Sequence, residues 1–138
     1  MPVMKNLILV SVIVLTIIAC KKTEYSPEGP TDVRIRNLSD QTFSKVIVST
    51  SEYPEDIDTL ETVDKYATSN YLRFKKAYPK AEITATVNGL VFTTGSVNYN
   101  SGITFIGQAK ITYEVWISDY NKRKLELKVF YPLDGPLD

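Results

Sequence analysis

Residues 81–87 alternate: Ala81, Ile83, Ala85 and Val87 on one side, Glu82, Thr84 and Thr86 on the other. A period of two is the signature of a half-buried strand. Asn88-Gly89 follows, leading into Leu90-Val91-Phe92-Thr93-Thr94. Asn-Gly between two such runs predicts a type I′ hairpin, because both turn positions need φ > 0. That turn sets Val87 opposite Leu90 and Ala85 opposite Phe92. A second hairpin is expected near the C-terminus. Ile111, Tyr113, Val115 and Ile117 alternate with Thr112, Glu114, Trp116 and Ser118, and Leu125, Leu127, Val129 and Tyr131 share a face in the run that follows. A five-residue loop over 119–123 pairs Ser118 with Lys124, Val115 with Leu127 and Glu114 with Lys128. Apolar pairs then meet inside and opposite charges outside, so the register is self-consistent.

Upstream, Val33, Ile35 and Asn37 share one side of an alternating segment, and 42–49 is dense in β-branched residues. A short strand is expected around Val97–Tyr99. Leu60, Val63, Ala67, Tyr71, Phe74 and Tyr78 fall at helical spacing, but the stretch holds many Thr, Ser and aromatic residues, which are modest helix formers. We therefore read a strand around Asn70–Lys76. Seven or so short strands with turns at short intervals predict an all-β antiparallel sandwich.

The N-terminus has a different pattern. Lys5 precedes an apolar run from Leu7 to Ile18, the length of a signal h-region and shorter than the roughly 20 residues of a membrane span. Ile17-Ile18-Ala19-Cys20 closes it and resembles a bacterial lipobox. The resemblance implies cleavage before Cys20, diacylation of its thiol and acylation of the new amine. Several acyl chains make a stable anchor where one is marginal. Residues 1–19 are thus read as a lipoprotein signal peptide, 20–31 as the lipidated Cys and a flexible polar tether, and 32–138 as the β domain. Lys21, not Asp, follows the Cys; by the enteric sorting rule this resembles an outer-membrane lipoprotein, held at the periplasmic face or cell surface.

Composition narrows the chemistry. The 138 residues hold no His and one Cys, so no Ser–His–Asp or Cys–His pair, no Cys/His zinc site and no internal disulfide can form within one chain. No cofactor is expected. The 16 basic and 16 acidic side chains leave no global field to attract nucleic acid. Charge is uneven, however. Residues 24–64 carry ten acids and three bases, and 65–138 carry six acids and ten bases. We expect the two halves to meet within one fold.

Several segments carry a family likeness: Val33-Arg34-Ile35-Arg36-Asn37-Leu38-Ser39, Phe43 with Val46-Ile47-Val48, Thr68-Ser69-Asn70-Tyr71 with Phe74 and Ala77-Tyr78, Ala81, Asn88-Gly89, and Thr112-Tyr113-Glu114. Over most of residues 32–118 the chain resembles small Bacteroidota-type lipoproteins of unknown function with an immunoglobulin-like β-sandwich. The resemblance supports the strand at 70–76 and carries no catalytic residue over.

Few positions suggest a site. Trp116 and Phe130 fall on the outer face of the last hairpin, where exposed aromatic rings can stack on a sugar or a partner. Asp56, Asp58 and Glu61 lie in what reads as a solvated acidic loop; the spacing is not that of an EF-hand, and no metal is expected. Asp58-Thr59-Leu60 matches the pattern of general O-glycosylation in Bacteroidota-type exported proteins, which marks Thr59. Asn37-Leu38-Ser39 is a sequon in form only. The carboxylates sit on polar faces or in loops rather than paired in an apolar cleft, so the chain reads as no enzyme. The expected function is a lipid-anchored envelope module that binds a glycan or an envelope protein; the alternative is a structural envelope lipoprotein with no ligand site.

Overall fold

The computed structural model describes residues 24–130 and 133–138. The segment read as a signal peptide, and Cys20, lie outside them. Eight strands follow in order: β1 (Thr31–Asn37), β2 (Phe43–Ser49), β3 (Ile57–Val63), β4 (Leu72–Phe74), β5 (Glu82–Val87), β6 (Leu90–Thr93), β7 (Ala109–Asp119) and β8 (Lys124–Val129). Among the described residues the remaining regular element is a 3-10 turn at Pro54–Asp56, and no helix is long and apolar enough to cross a membrane.

The strands form one sheet in the order β3-β2-β5-β6-β8-β7-β1-β4. Two pairs are parallel, β1 with β7 and β6 with β8, where an antiparallel sheet was expected. The sheet curls until it nearly closes. Its two halves are joined at Thr93↔Lys124 between β6 and β8. At the far end the Asn37 amide reaches from β1 to the Val63 carbonyl of β3, 3.2 Å away. Both halves bury into one core: Phe43, Val46, Val48, Ile83 and Phe92 from one side, Val33, Ile35, Ile111, Val115 and Leu125 from the other. Each such side chain contributes about 1.5–3 kcal/mol when fully buried.

Alternation accounts for most faces. In β5, Ile83, Ala85 and Val87 are buried while Glu82, Thr84 and Thr86 are half-exposed. The β5–β6 hairpin has the expected register, Val87↔Leu90 and Ala85↔Phe92, and both turn residues have positive φ, 48° at Asn88 and 78° at Gly89. The last hairpin pairs Val115 with Leu127 and Glu114 with Lys128 as expected. Its tip differs. Asp119, not Ser118, faces Lys124, across a register shift after Ile117. A bulge thus takes up one residue and shortens the loop to Tyr120–Arg123.

Other expectations are corrected. The segment read as an acidic loop is a 3-10 turn followed by edge strand β3, with Thr59 facing Ile47 of β2. No strand forms at Val97–Tyr99. Tyr99 is instead a buried plug, stacked on Tyr78 with ring centroids 5.2 Å apart, its hydroxyl donating to the Ser49 carbonyl at 2.8 Å. The strand expected over 70–76 shortens to Leu72–Phe74. Part of the segment read as a flexible tether is held against the body. Gln108 donates to the carbonyls of Tyr25 and Ser26 at 3.2 and 2.8 Å. Gly29 lies so close to β4 that a Cβ there would sit 2.0 Å from the Lys75 carbonyl oxygen.

Candidate functional site

The outer face of β1, β7 and β8 carries a ladder of charge. Glu114 is buried between two cations, 3.1 Å from Arg36 of β1 and 3.3 Å from Lys128 of β8. Trp116 and Phe130 stand at either end of this pair, and the structure does not bring them together: Trp116 faces Glu126, and the Phe130 amide bonds the Thr112 carbonyl. Phe130 is 38% exposed. The Arg36 guanidinium lies over its ring, 5.0 Å from the centroid, and covers one face of it.

Trp116 has different company. It lines an open cleft of about 680 Å³ with Leu38, Asp40, Gln41, Tyr66 and Tyr120. The cleft is built by three connections at one end of the sheet: β1 to β2, β3 to β4, and β7 to β8. Fully buried Asn37 holds the first two together. Its amide donates to the Gln41 carbonyl at 2.7 Å and to those of Val63 and Asp64 at 3.2 Å each, while its carbonyl accepts from the Ser39 amide at 2.9 Å. The Asn of the apparent sequon is therefore an internal tie. Tyr120 is held against buried Phe92, ring centroids 5.1 Å apart. Asn88 of the β5–β6 turn donates to the Gln41 side chain at 3.0 Å and to the Tyr120 hydroxyl at 3.4 Å. Sequence reasoning placed Trp116 outside the core and missed Tyr66, Tyr120, Asp40 and Gln41. An aromatic just past each of two strand ends was the signal available.

The remaining candidates do not gather. Thr59 is exposed on edge strand β3. Asp56 is fully buried and saturated: the Ser51 hydroxyl donates to it at 2.6 Å and the Lys75 amide at 2.7 Å. Asp58 and Glu61 are both exposed on β3. Among the described residues no group of three carboxylates, Cys or His could hold a metal.

The acidic and basic stretches meet within the fold. Asp32 accepts from the Arg73 guanidinium through both oxygens, at 2.7 and 2.9 Å. Glu52 and Glu55 pair with Lys76 and Lys75 at 3.0 and 3.5 Å. Lys76, packed against Tyr78 and bonded to Glu52, has its pKa pushed well above the ordinary lysine range, first by Tyr78 and then by Glu52. It stays an ammonium and offers no nucleophilic amine. Near the C-terminus Asp134 accepts from the Thr112 and Tyr71 hydroxyls at 2.6 and 2.8 Å. Burial, and then that carboxylate, push the Tyr71 phenol up.

No protein-family model matches the chain, and no curated protein does. Among solved structures it is similar to the NMR structure of the protein from Eubacterium rectale. The identity is 16% and the TM-score 0.47, with 84% of this chain and 100% of that one covered.

Proposed function

We propose that this chain is a lipid-anchored, non-catalytic binding module of the bacterial cell envelope, related to the small Bacteroidota-type lipoproteins it resembles. Cys20 is the acylated residue, the outer membrane is the anchoring bilayer, and the partner is a glycan or an envelope protein. We read the curled sheet as an immunoglobulin-like sandwich, with β3-β2-β5-β6 as one layer and β8-β7-β1-β4 as the other. Two features support that reading: a core shared by both halves and a single residue pair joining β6 to β8.

The observation that carries the binding role is the Trp116 cleft. A half-buried Trp opens there beside two exposed tyrosines, 68% at Tyr66 and 44% at Tyr120. Grouped exposed aromatics at a concave surface mark interaction sites more often than scattered ones do. The test has two arms. Fractionated cells should hold the wild-type chain in the outer membrane and release Cys20→Ser to the soluble fraction. A photo-crosslinking residue at Tyr66 should capture a partner in cells, and Trp116→Ala should abolish that capture. Membrane retention without any capture would leave a structural envelope lipoprotein as the reading.

A further inference from the structure

We infer that the Trp116 cleft is a binding site for a neutral saccharide, a reading that rests on the binding role proposed above and names its ligand class. Three polar groups of the lining residues are unspent within the described structure. Neither the Trp116 indole N–H nor the Tyr66 hydroxyl makes a hydrogen bond there, and the Asp40 carboxylate accepts one long bond, 3.4 Å, from its neighbour Gln41. They supply two donors and an acceptor beside three aromatic rings, Trp116, Tyr66 and Tyr120. A pyranose presents the complement: a C–H face that lies on an aromatic ring, and hydroxyls that both donate and accept.

Tyr66 adds a second line of argument. Its φ is 57°, a left-handed conformation that disfavours a side-chain-bearing residue by roughly 1–2 kcal/mol and that Gly or Asn adopts more easily. Yet the ring is 68% exposed. Folding gains little from a large side chain at that position, whereas a ligand in the cleft would use it.

The rest of the lining narrows the class. Asp40 is the one ionised group among the residues lining the cleft, and no Lys or Arg lines it. A phosphate, sulfate or uronate would meet a carboxylate with no cation to offset it. An extended peptide needs free backbone groups for strand addition, and the amides at the end of β1 are taken. The Asn37 amide bonds the Ala67 carbonyl at 2.9 Å, and the Leu38 amide bonds the Val115 carbonyl at 2.8 Å. At about 680 Å³ the cleft is within the range of small-ligand sites.

The test uses the full chain in detergent micelles on an array of neutral and anionic glycans, followed by titration with the neutral oligosaccharide that scores highest. Trp116 is the sole tryptophan of the chain, so its fluorescence reports occupancy directly. Calorimetry on Trp116→Ala, Tyr66→Ala and Asp40→Asn should give an affinity loss of at least about tenfold each, with unchanged thermal midpoints. Trp116→Phe should retain most binding. A blank array, a preference for anionic glycans, or undiminished binding by Trp116→Ala would overturn the saccharide. Should the array stay blank while the Tyr66 crosslink captures a protein, the saccharide falls and the binding module stands. If neither reports, both fall.

Discussion

The Asn37 side chain is fully buried and bonded to three carbonyls and one amide on two connections. Alternation placed it on the inner side of β1, but nothing local says what its amide would meet. Those partners lie after β1 and at the end of β3, 26 and 27 residues away for the latter. Asn37→Ala should lower stability by about 1–3 kcal/mol, because buried carbonyls lose their donor. Chemical denaturation reads that loss, and hydrogen exchange should rise at residues 38–41 and 64–66 together. Tyr99 gives a pH dependence. Burial holds its phenol neutral and pushes its pKa above 10.0. The stabilisation is therefore complete below the unfolded-state value and is lost as pH rises through the raised folded one. Thermal midpoints should fall above about pH 10, and Tyr99→Phe should be less stable at neutral pH but show a flatter alkaline decline.

At the level of elements, what could be read from the chain was whatever closes within a few residues. The β5–β6 hairpin follows from alternation plus Asn-Gly. Gly89 has φ 78° and nothing within 4 Å of where a Cβ would stand, so the backbone alone demands glycine there. Gly89→Val should destabilise by roughly 1–2 kcal/mol, measured by denaturant midpoint with an unchanged slope; no loss would mean that the turn relaxes to another type. β3 escaped because it is an edge strand. Leu60 and Val63 are its inward residues, while Asp58, Thr59, Glu61 and Thr62 are exposed, so its hydrophobic pattern is faint. Charge on a free edge is expected of strands that must not pair with another chain. The stretch after β6 contains Val97 and Tyr99 and looked like a strand. Tyr99 is consumed as a plug between Tyr78 and the end of β2, and the backbone around it has no ladder partner.

At the scale of the whole molecule, the chain enters at one pole and the cleft lies at the other. Tyr25 and Ser26 are held by Gln108, just before β7, and β1 runs parallel to β7 away from that point. Trp116 lies seven residues beyond Ala109, about 23 Å along the strand. Five residues from Cys20 to Tyr25 span at most roughly 18 Å. The lipid anchor proposed at Cys20 would then keep the entry pole near the bilayer and present the cleft outward. With the acylated chain in vesicles, Trp116 fluorescence should be quenched by soluble acrylamide and not by brominated acyl chains. Quenching by the brominated lipid would reverse this orientation.

The local patterns carried the all-β class, both hairpins, most faces, and the position of Trp116 outside the core, because period-two alternation and turn chemistry act between neighbours in the chain. Composition alone excluded His-dependent catalysis. Closure of the sheet decided the rest. β1 lies along β7 through partners 78 residues apart, such as Arg36 and Glu114, and three distant connections converge on one cleft. Such contacts depend on which edges meet when the core is buried from both sides, and no stretch of a dozen residues encodes that choice.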